Sequence, residues 1–311
     1  MAQRILTRKR LPSVFLSAFR FYSVQNASSS SCELLKNRSV LSVTRESCSD
    51  FLQGLITNDM NLLQSNKCLY TMVLNSKGRV LYDGFLYSTG SADRFLIECS
   101  TEAADPLIKH LRTYSLRKKI EICKSELLPW AVFGNSVSND CLVADPRCRE
   151  PWLYRCLSES QPCPTIEDGS YTKLRYSLGI AEGFNEIPVG EAFPLEYNAD
   201  FLNGVSFEKG CYVGQELTAR VHHTGVIRKR IMPLELDNEP PHDCNLDDPV
   251  VDSESGKTVG KIRGVHQNRV LALMRITETL SSKRLVWGGI NARAAIPTWW
   301  PPLQKETAKR N

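Results

Sequence analysis

A single cysteine in a Gly-marked, charged stretch is the first place in this chain where chemistry can be read from residue types. The stretch is Ser206-Phe207-Glu208-Lys209-Gly210-Cys211-Tyr212-Val213-Gly214-Gln215-Glu216, followed by Leu217-Thr218-Ala219-Arg220. Gly210 and Gly214 keep side-chain bulk away, so another molecule can approach the backbone and the sulfur. Lys209 and Arg220 are positive neighbours that favour thiolate, the form that ligates iron or attacks electrophiles. Thiolate is also the soft ligand that iron–sulfur clusters prefer. Such clusters are usually held by four ligands, so one bound here would be shared with a partner. The plain alternative is a buried thiol packing as a small hydrophobe.

Lys209 to Glu216 resembles the signature of the bacterial YgfZ folate-binding proteins and their mitochondrial relatives. Further blocks agree in order and spacing: Phe51 to Asp59, Gly183, Pro194 to Asn198, Asn203 to Phe207 and Ala219 to Arg230. The resemblance implies an α+β, T-protein-like folate-binding fold of two interlocked α/β units, followed by a small C-terminal β-barrel. It implies an iron–sulfur assembly factor of the mitochondrial matrix that acts with A-type scaffold proteins to mature four-iron clusters in enzymes such as aconitase and lipoate synthase. In that reading Cys211 is this chain's ligand to a bridging two-iron two-sulfur cluster. Lys209, Gly210, Tyr212, Gly214, Gln215, Glu216 and Arg220 surround it as partner-binding residues.

The same resemblance raises tetrahydrofolate as a ligand, with Asn58, Tyr82, Asp83 and Glu182 as its contacts. Two carboxylate oxygens of Glu182 facing two pterin N–H groups would make a sound bidentate pair, against a plain reading as a solvated turn glutamate. Asn58-Asp59 shapes that cavity or caps a turn. One departure matters. T-protein enzymes carry paired aspartates after the hairpin turn, whereas here Asn75-Ser76-Lys77-Gly78-Arg79-Val80-Leu81 runs into Tyr82-Asp83. A phenol of ordinary pKa near 10 is a poor base at matrix pH. The expectation is therefore an assembly factor and not an enzyme. The rivals are a folate-dependent one-carbon transferase and a folate-binding module in which Cys211 only packs. His222-His223, with Arg220, Arg228, Lys229 and Arg230, forms a basic stretch that reads as a solvated face or as a dock for an acidic partner.

The elements that must position these groups read as follows. Ser39–Val43 is a strand, and Ser47 or Ser49 caps a short helix through Phe51, Leu52 and Leu55. Leu69–Leu74 and Arg79–Tyr87 form a hairpin with Gly78 in its turn. Arg94–Cys99 is a strand, Thr101–Tyr114 a helix burying Leu107, Ile108 and Leu111, and Lys118–Cys123 a strand. Leu128–Phe133 and Cys141–Ala144 open a second unit, 146–165 is loop, and Tyr171–Leu178 is helix. Residues 179–220 show no clear regular structure. Short alternating segments (Ile231–Leu236, Val250–Asp252, Thr258–Arg263, Arg269–Arg275) predict the barrel. The division follows: 32–225 for the α+β domain, with sub-units near 33–125 and 126–225, then 226–300 for the barrel and 301–311 for a tail.

Residues 1–31 stand apart, with Arg4, Arg8, Lys9, Arg10 and Arg20 and no acid before Glu33. Leu11, Val14, Phe15, Ala18, Phe19 and Tyr22 form one apolar helical stripe. A basic, Ser-rich, acid-free amphipathic segment predicts a mitochondrial transit peptide, with a cut after Tyr22. The whole chain has 39 basic and 34 acidic residues; without this segment 34 of each remain. A near-neutral mature chain offers no persistent basic field for nucleic acid. No apolar run approaches the roughly 20 residues of a membrane span. Eleven cysteines include no C-x-x-C pair. Cys141, Cys148, Cys156 and Cys163 recur at seven or eight residues, but intervening prolines oppose a continuous helix. All except Cys211 are expected to pack as thiols in a reducing compartment.

Overall fold

Asn75 turns the chain back on itself, its side chain accepting from the N–H groups of Lys77 (2.9 Å) and Arg79 (3.0 Å). This turn joins β3 (Cys68–Leu74), buried throughout, to β4 (Val80–Ser88). The computed structural model describes residues 30–115, 119–134, 141–147, 153–240 and 245–302. Residues 1–29 of the segment read as a transit peptide, with its expected cut after Tyr22, and nearly all of the tail lie outside the described residues; Ser31, placed in that segment by the sequence reading, instead opens a strand.

Two antiparallel sheets carry the described residues between 30 and 224. β2 (Arg38–Thr44), β5 (Arg94–Ser100) and β6 (Glu121–Lys124) join the hairpin in a five-stranded sheet of order β3-β4-β5-β2-β6. β1 (Ser31–Leu34), β7 (Leu128–Phe133), β8 (Leu142–Ala144) and β9 (Tyr154–Ser158) form the second, of order β1-β7-β9-β8. The first strand among the described residues therefore belongs to the second sheet, which interlocks the two units. β9 lies inside the stretch read as loop: prolines on either side mask a five-residue strand that pairs with β7 and β8.

Helices α1 (Cys48–Gln53) and α2 (Ala104–Tyr114) cover one face of the five-stranded sheet. Leu107, Ile108 and Leu111 are buried there as the sequence periodicity predicts, each contributing about 1.5–3 kcal/mol. Ser47 sits at the N-cap of α1 but makes no side-chain cap hydrogen bond. α3 (Ser170–Leu178) and the segment from Ile180 to Tyr212 cover the other face, where Tyr70, Phe85, Tyr197 and Leu202 interlock. α4 (Gln215–Thr224) occupies the end of a stretch whose polar composition hid a helix.

The remaining strands close on themselves. β10 (Lys229–Leu236), β11 (Pro249–Asp252), β12 (Thr258–His266), β13 (Arg269–Arg275), β14 (Leu285–Trp287) and β15 (Ile290–Ala294) form a six-stranded barrel of order β10-β13-β12-β11-β14-β15. α5 (Ile276–Ser281) links its strands, and Trp287 and Trp300 pack into its core. Asn198 Nδ2 donates to the Ile231 carbonyl (2.9 Å), and Arg230 pairs with Asp200 (2.8 Å), fastening the barrel to the α+β body.

Candidate functional site

Residues 53–58 and 203–214 meet along a ladder of specific bonds. Thr57 Oγ1 donates to the Gly204 carbonyl (2.6 Å), and Ser206 N–H donates to the Thr57 carbonyl (3.0 Å). Asn58 Nδ2 donates to the carbonyls of Tyr70 and Asn203, both at 2.7 Å. Val213 N–H donates to the Gly54 carbonyl (3.1 Å). Asp59 caps the following turn by accepting from Asn61 N–H (3.0 Å). Asn58 is thus a clasp between two segments far apart in sequence. It also lines an open cleft of about 580 Å³ with Asn66, Lys67, Asp145 and Asn203.

Lys209 is directed inward. Its ammonium donates to the carbonyls of Gln53, Ile56 and Asn58, each at 2.7 Å, and lies 4.9 Å from the centre of the Tyr212 ring. Burial pulls this ammonium down to about 8. Its charge is directed to the carbonyl of Gln53, at the end of α1, and to those of Ile56 and Asn58 just beyond it, chain-end acceptors that a long cationic side chain reaches. Tyr212 is a second peg, 7% exposed, with burial pushing its phenol up to about 12. Gln215 Oε1 accepts from Tyr212 N–H (3.3 Å).

Between these pegs Cys211 is exposed. A Cβ added at Gly210 would meet nothing within 4 Å, so the approach to the sulfur is open on that side. Gly214 has a different part: its φ of +80 ends the loop and starts α4. The helix buries only Thr218 and presents Glu216, Arg220, His222 and His223 to solvent. The Phe207 ring stacks on His222 with centroids 3.5 Å apart and planes at 11°.

Tyr82 and Asp83 point to opposite faces of β4, as neighbours in a strand must. Tyr82, half-buried, stacks on Phe184 (5.8 Å) and meets His110 edge-on (5.6 Å). Asp83 faces the other way and accepts from Gly183 N–H (3.0 Å), while its Oδ2 is buried without a partner. Burial raises its carboxyl above the ordinary value, more than Arg38 lowers it.

Glu182 is not a solvated turn residue, nor does it present two free oxygens. It accepts from Arg147 Nη1 (2.8 Å) and the Tyr171 hydroxyl (2.6 Å), with Arg38 Nη1 at 3.5 Å. Burial alone would raise this carboxyl; the Arg38 and Arg147 guanidiniums overcome that and hold it well below the carboxylate range. Around it Arg38 pairs with Glu98 (2.9 Å), Arg155 with Glu98 and Asp145, and Arg147 with Asp145 (2.7 Å). The Arg155 guanidinium lies 3.7 Å from the Phe85 ring centre and that of Arg147 4.7 Å. A pterin edge pairing with Glu182 would have to displace these arginines, so the residues present do not fit tetrahydrofolate there. Sequence reading missed this network because its members are scattered charged residues with no common spacing.

A mixed α/β body of two interlocked sheets with a small barrel appended is an aminomethyltransferase-like fold. The structure matches that of the glycine cleavage system aminomethyltransferase T from Bartonella henselae with a TM-score of 0.69 over 89% of this chain and 88% of that one. Sequence identity in that comparison is 12%, so the likeness is one of fold. Residues 228–302 match the C-terminal β-barrel domain described for CAF17. The chain is 35% identical over 309 residues to the human protein named iron–sulfur cluster assembly factor IBA57, mitochondrial, spanning 88% of this chain and 86% of that protein. The mouse protein of the same name is 36% identical over 312 residues, with the same coverage. A homologue so named in Pyricularia oryzae is 39% identical over 223 residues, covering 65% of this chain and 56% of that one. The chain belongs to the family of mitochondrial iron–sulfur cluster assembly factors, the mitochondrial branch that its Lys209–Glu216 motif resembles.

Proposed function

We propose that this protein serves iron–sulfur cluster assembly in the mitochondrial matrix as a non-enzymatic factor, with Cys211 as its ligand to a two-iron cluster shared with an A-type scaffold protein. The observation that carries the reading is an exposed thiol between two buried pegs. Lys209 fixes the backbone before it and Tyr212 the residue after it, so the sulfur is held outward without being enclosed. One thiolate supplies one of the four ligands a cluster ordinarily takes, and the partner brings the rest. Gly210 leaves room for that partner's backbone, and the solvent-facing side of α4 continues the surface next to the thiol. The cluster is cargo in this scheme, destined for four-iron enzymes of the aconitase and lipoate synthase kind.

One-carbon transfer is disfavoured by the same geometry. Tyr82 stands where T-protein enzymes place the second aspartate of the pair, and Glu182, the carboxylate nearest Asp83, accepts from Arg147 and Tyr171. The test is anaerobic reconstitution of the chain with an A-type scaffold, iron and sulfide. A coloured, stable heterodimer is expected for the wild type and not for Cys211→Ser; equal colour and stability in the variant would remove Cys211 from the ligand set.

A further inference from the structure

Four cysteines outside the Cys211 loop gather at the β1-β7-β9-β8 sheet. Cys32 in β1 and Cys156 in β9 are fully buried, Cys163 is half-buried and Cys141 is exposed. Cys32 is paired with Val132 and Cys156 with Trp130, both in β7, so the two buried thiols share one face of the sheet. The loop carrying Cys163 runs beside β1: Cys32 N–H donates to the Pro164 carbonyl (2.8 Å), and Ile166 N–H to the Cys32 carbonyl (2.9 Å). The Cys32 thiol donates to the Cys163 carbonyl (2.9 Å), which places the Cys32 sulfur beside Cys163. On the other side, Cys141 immediately precedes Leu142, the residue paired with Cys156, which brings the Cys141 backbone beside Cys156. Trp130, Val132, Leu142 and Tyr154 pack around these sulfurs. Among the described residues no three His, Cys, Asp or Glu side chains are grouped to hold a metal ion. The four sulfurs form one cluster in which a reachable thiol lies beside each buried one, Cys163 beside Cys32 and Cys141 beside Cys156.

We propose that Cys32–Cys163 and Cys141–Cys156 are disulfide-forming pairs, a modification site for oxidants of the glutathione-disulfide class. The reachable thiol (Cys163 or Cys141) loses its proton, attacks one sulfur of glutathione disulfide and releases glutathione thiolate, which takes up a proton. The buried thiol (Cys32 or Cys156) then loses its proton and attacks the mixed disulfide. A second glutathione leaves, so that each pair is oxidised by two electrons while one glutathione disulfide becomes two glutathiones. Burial and the neighbouring sulfur push the Cys156 and Cys163 thiols up to about 12. Exchange is therefore slow, and the pairs remain dithiols unless an oxidising poise persists. The Cys32–Cys163 bridge closes a span of 131 residues and ties β1 to the loop beside it.

The full chain, reduced and then held in graded ratios of glutathione disulfide to glutathione, is trapped with N-ethylmaleimide and mapped as non-reduced peptides by mass spectrometry. Cross-linked peptides Cys32–Cys163 and Cys141–Cys156 are expected, with Cys48, Cys68 and Cys99 still thiols and Tm raised by about 10 °C. Cys163→Ser should delete only the first cross-link and Cys141→Ser only the second. A Cys211→Ser background should give the same map, which keeps the result independent of the cluster reading. Glutathione adducts without cross-links, bridges between other cysteines, or no oxidation would each overturn the assignment.

Discussion

Gly214 and Gly78 meet backbone to backbone, the loop that carries Cys211 resting on the turn of the β3–β4 hairpin. A Cβ on Gly214 would lie 2.3 Å from the Asn75 carbonyl oxygen, and one on Gly78 would lie 2.9 Å from the Gly214 oxygen. Both glycines have positive φ, near +80 and +76. A turn and a motif 136 residues apart thus meet in one contact that only two glycines permit.

Gly214→Ala should destabilise the chain by about 3 kcal/mol, combining left-handed strain with overlap at Asn75. Gly210→Ala should leave Tm unchanged, since its Cβ enters open space. Thermal unfolding of the two variants side by side checks the distinction; equal losses would mean that the loop does not sit on the hairpin turn as described.

Lys209→Met removes the donor for three carbonyls and should cost about 2–3 kcal/mol. It should also loosen the backbone before Cys211, seen as faster proteolysis there. The sign of the pH effect follows from the value near 8. This lies below the ordinary 10.5, so the folded chain releases the proton first and Lys209's contribution favours folding more as pH rises between those values. Denaturant melts should show that rise in the difference between wild type and Lys209→Met.

Glu182→Gln leaves Arg38 and Arg147 short of a counter-charge in a buried site, an expected loss of about 3–5 kcal/mol. Because the folded carboxyl lies well below 4.5, its stabilisation is fully present above that pH and disappears as acid takes pH down toward the folded value. Urea midpoints measured at pH 7 and again below pH 4.5 should converge between variant and wild type. A constant gap would argue against an ionised Glu182.

Tetrahydrofolate titrated calorimetrically should give no stoichiometric heat, and Asp83→Asn should leave cluster formation with the scaffold intact. Micromolar binding, lost in Glu182→Gln, would show that the arginine network opens to admit a pterin.

Much of the scaffold was legible in the sequence because its signals are local. Alternation and Gly78 marked the hairpin, helical spacing marked α2, and short alternating runs marked most of the barrel. β9 was hidden by flanking prolines, β14 by its three-residue length, and β15 because Ile290 is its only large apolar residue. α4 was hidden because it buries a single residue, Thr218, and so lacks an apolar stripe. At the site, residue types pointed to Cys211, yet not to the inward turn of Lys209 or the burial of Glu182. Those depend on which carbonyls and guanidiniums the fold brings near, which spacing along one chain does not encode. The expectation that every other cysteine packs inside also needs correction: Cys123 and Cys141 are exposed.

The central claim is that the sulfur of Cys211 joins the shared cluster, and site-specific alkylation tests it most directly. Iodoacetamide is applied under anaerobic conditions to the free chain and to the coloured complex with an A-type scaffold, and modification at residue 211 is counted by peptide mass spectrometry. Rapid labelling is predicted in the free chain, with near-complete protection in the complex that disappears when the cluster is bleached by acid or chelator. Equal labelling of Cys211 in the free chain and in the intact coloured complex would contradict the account.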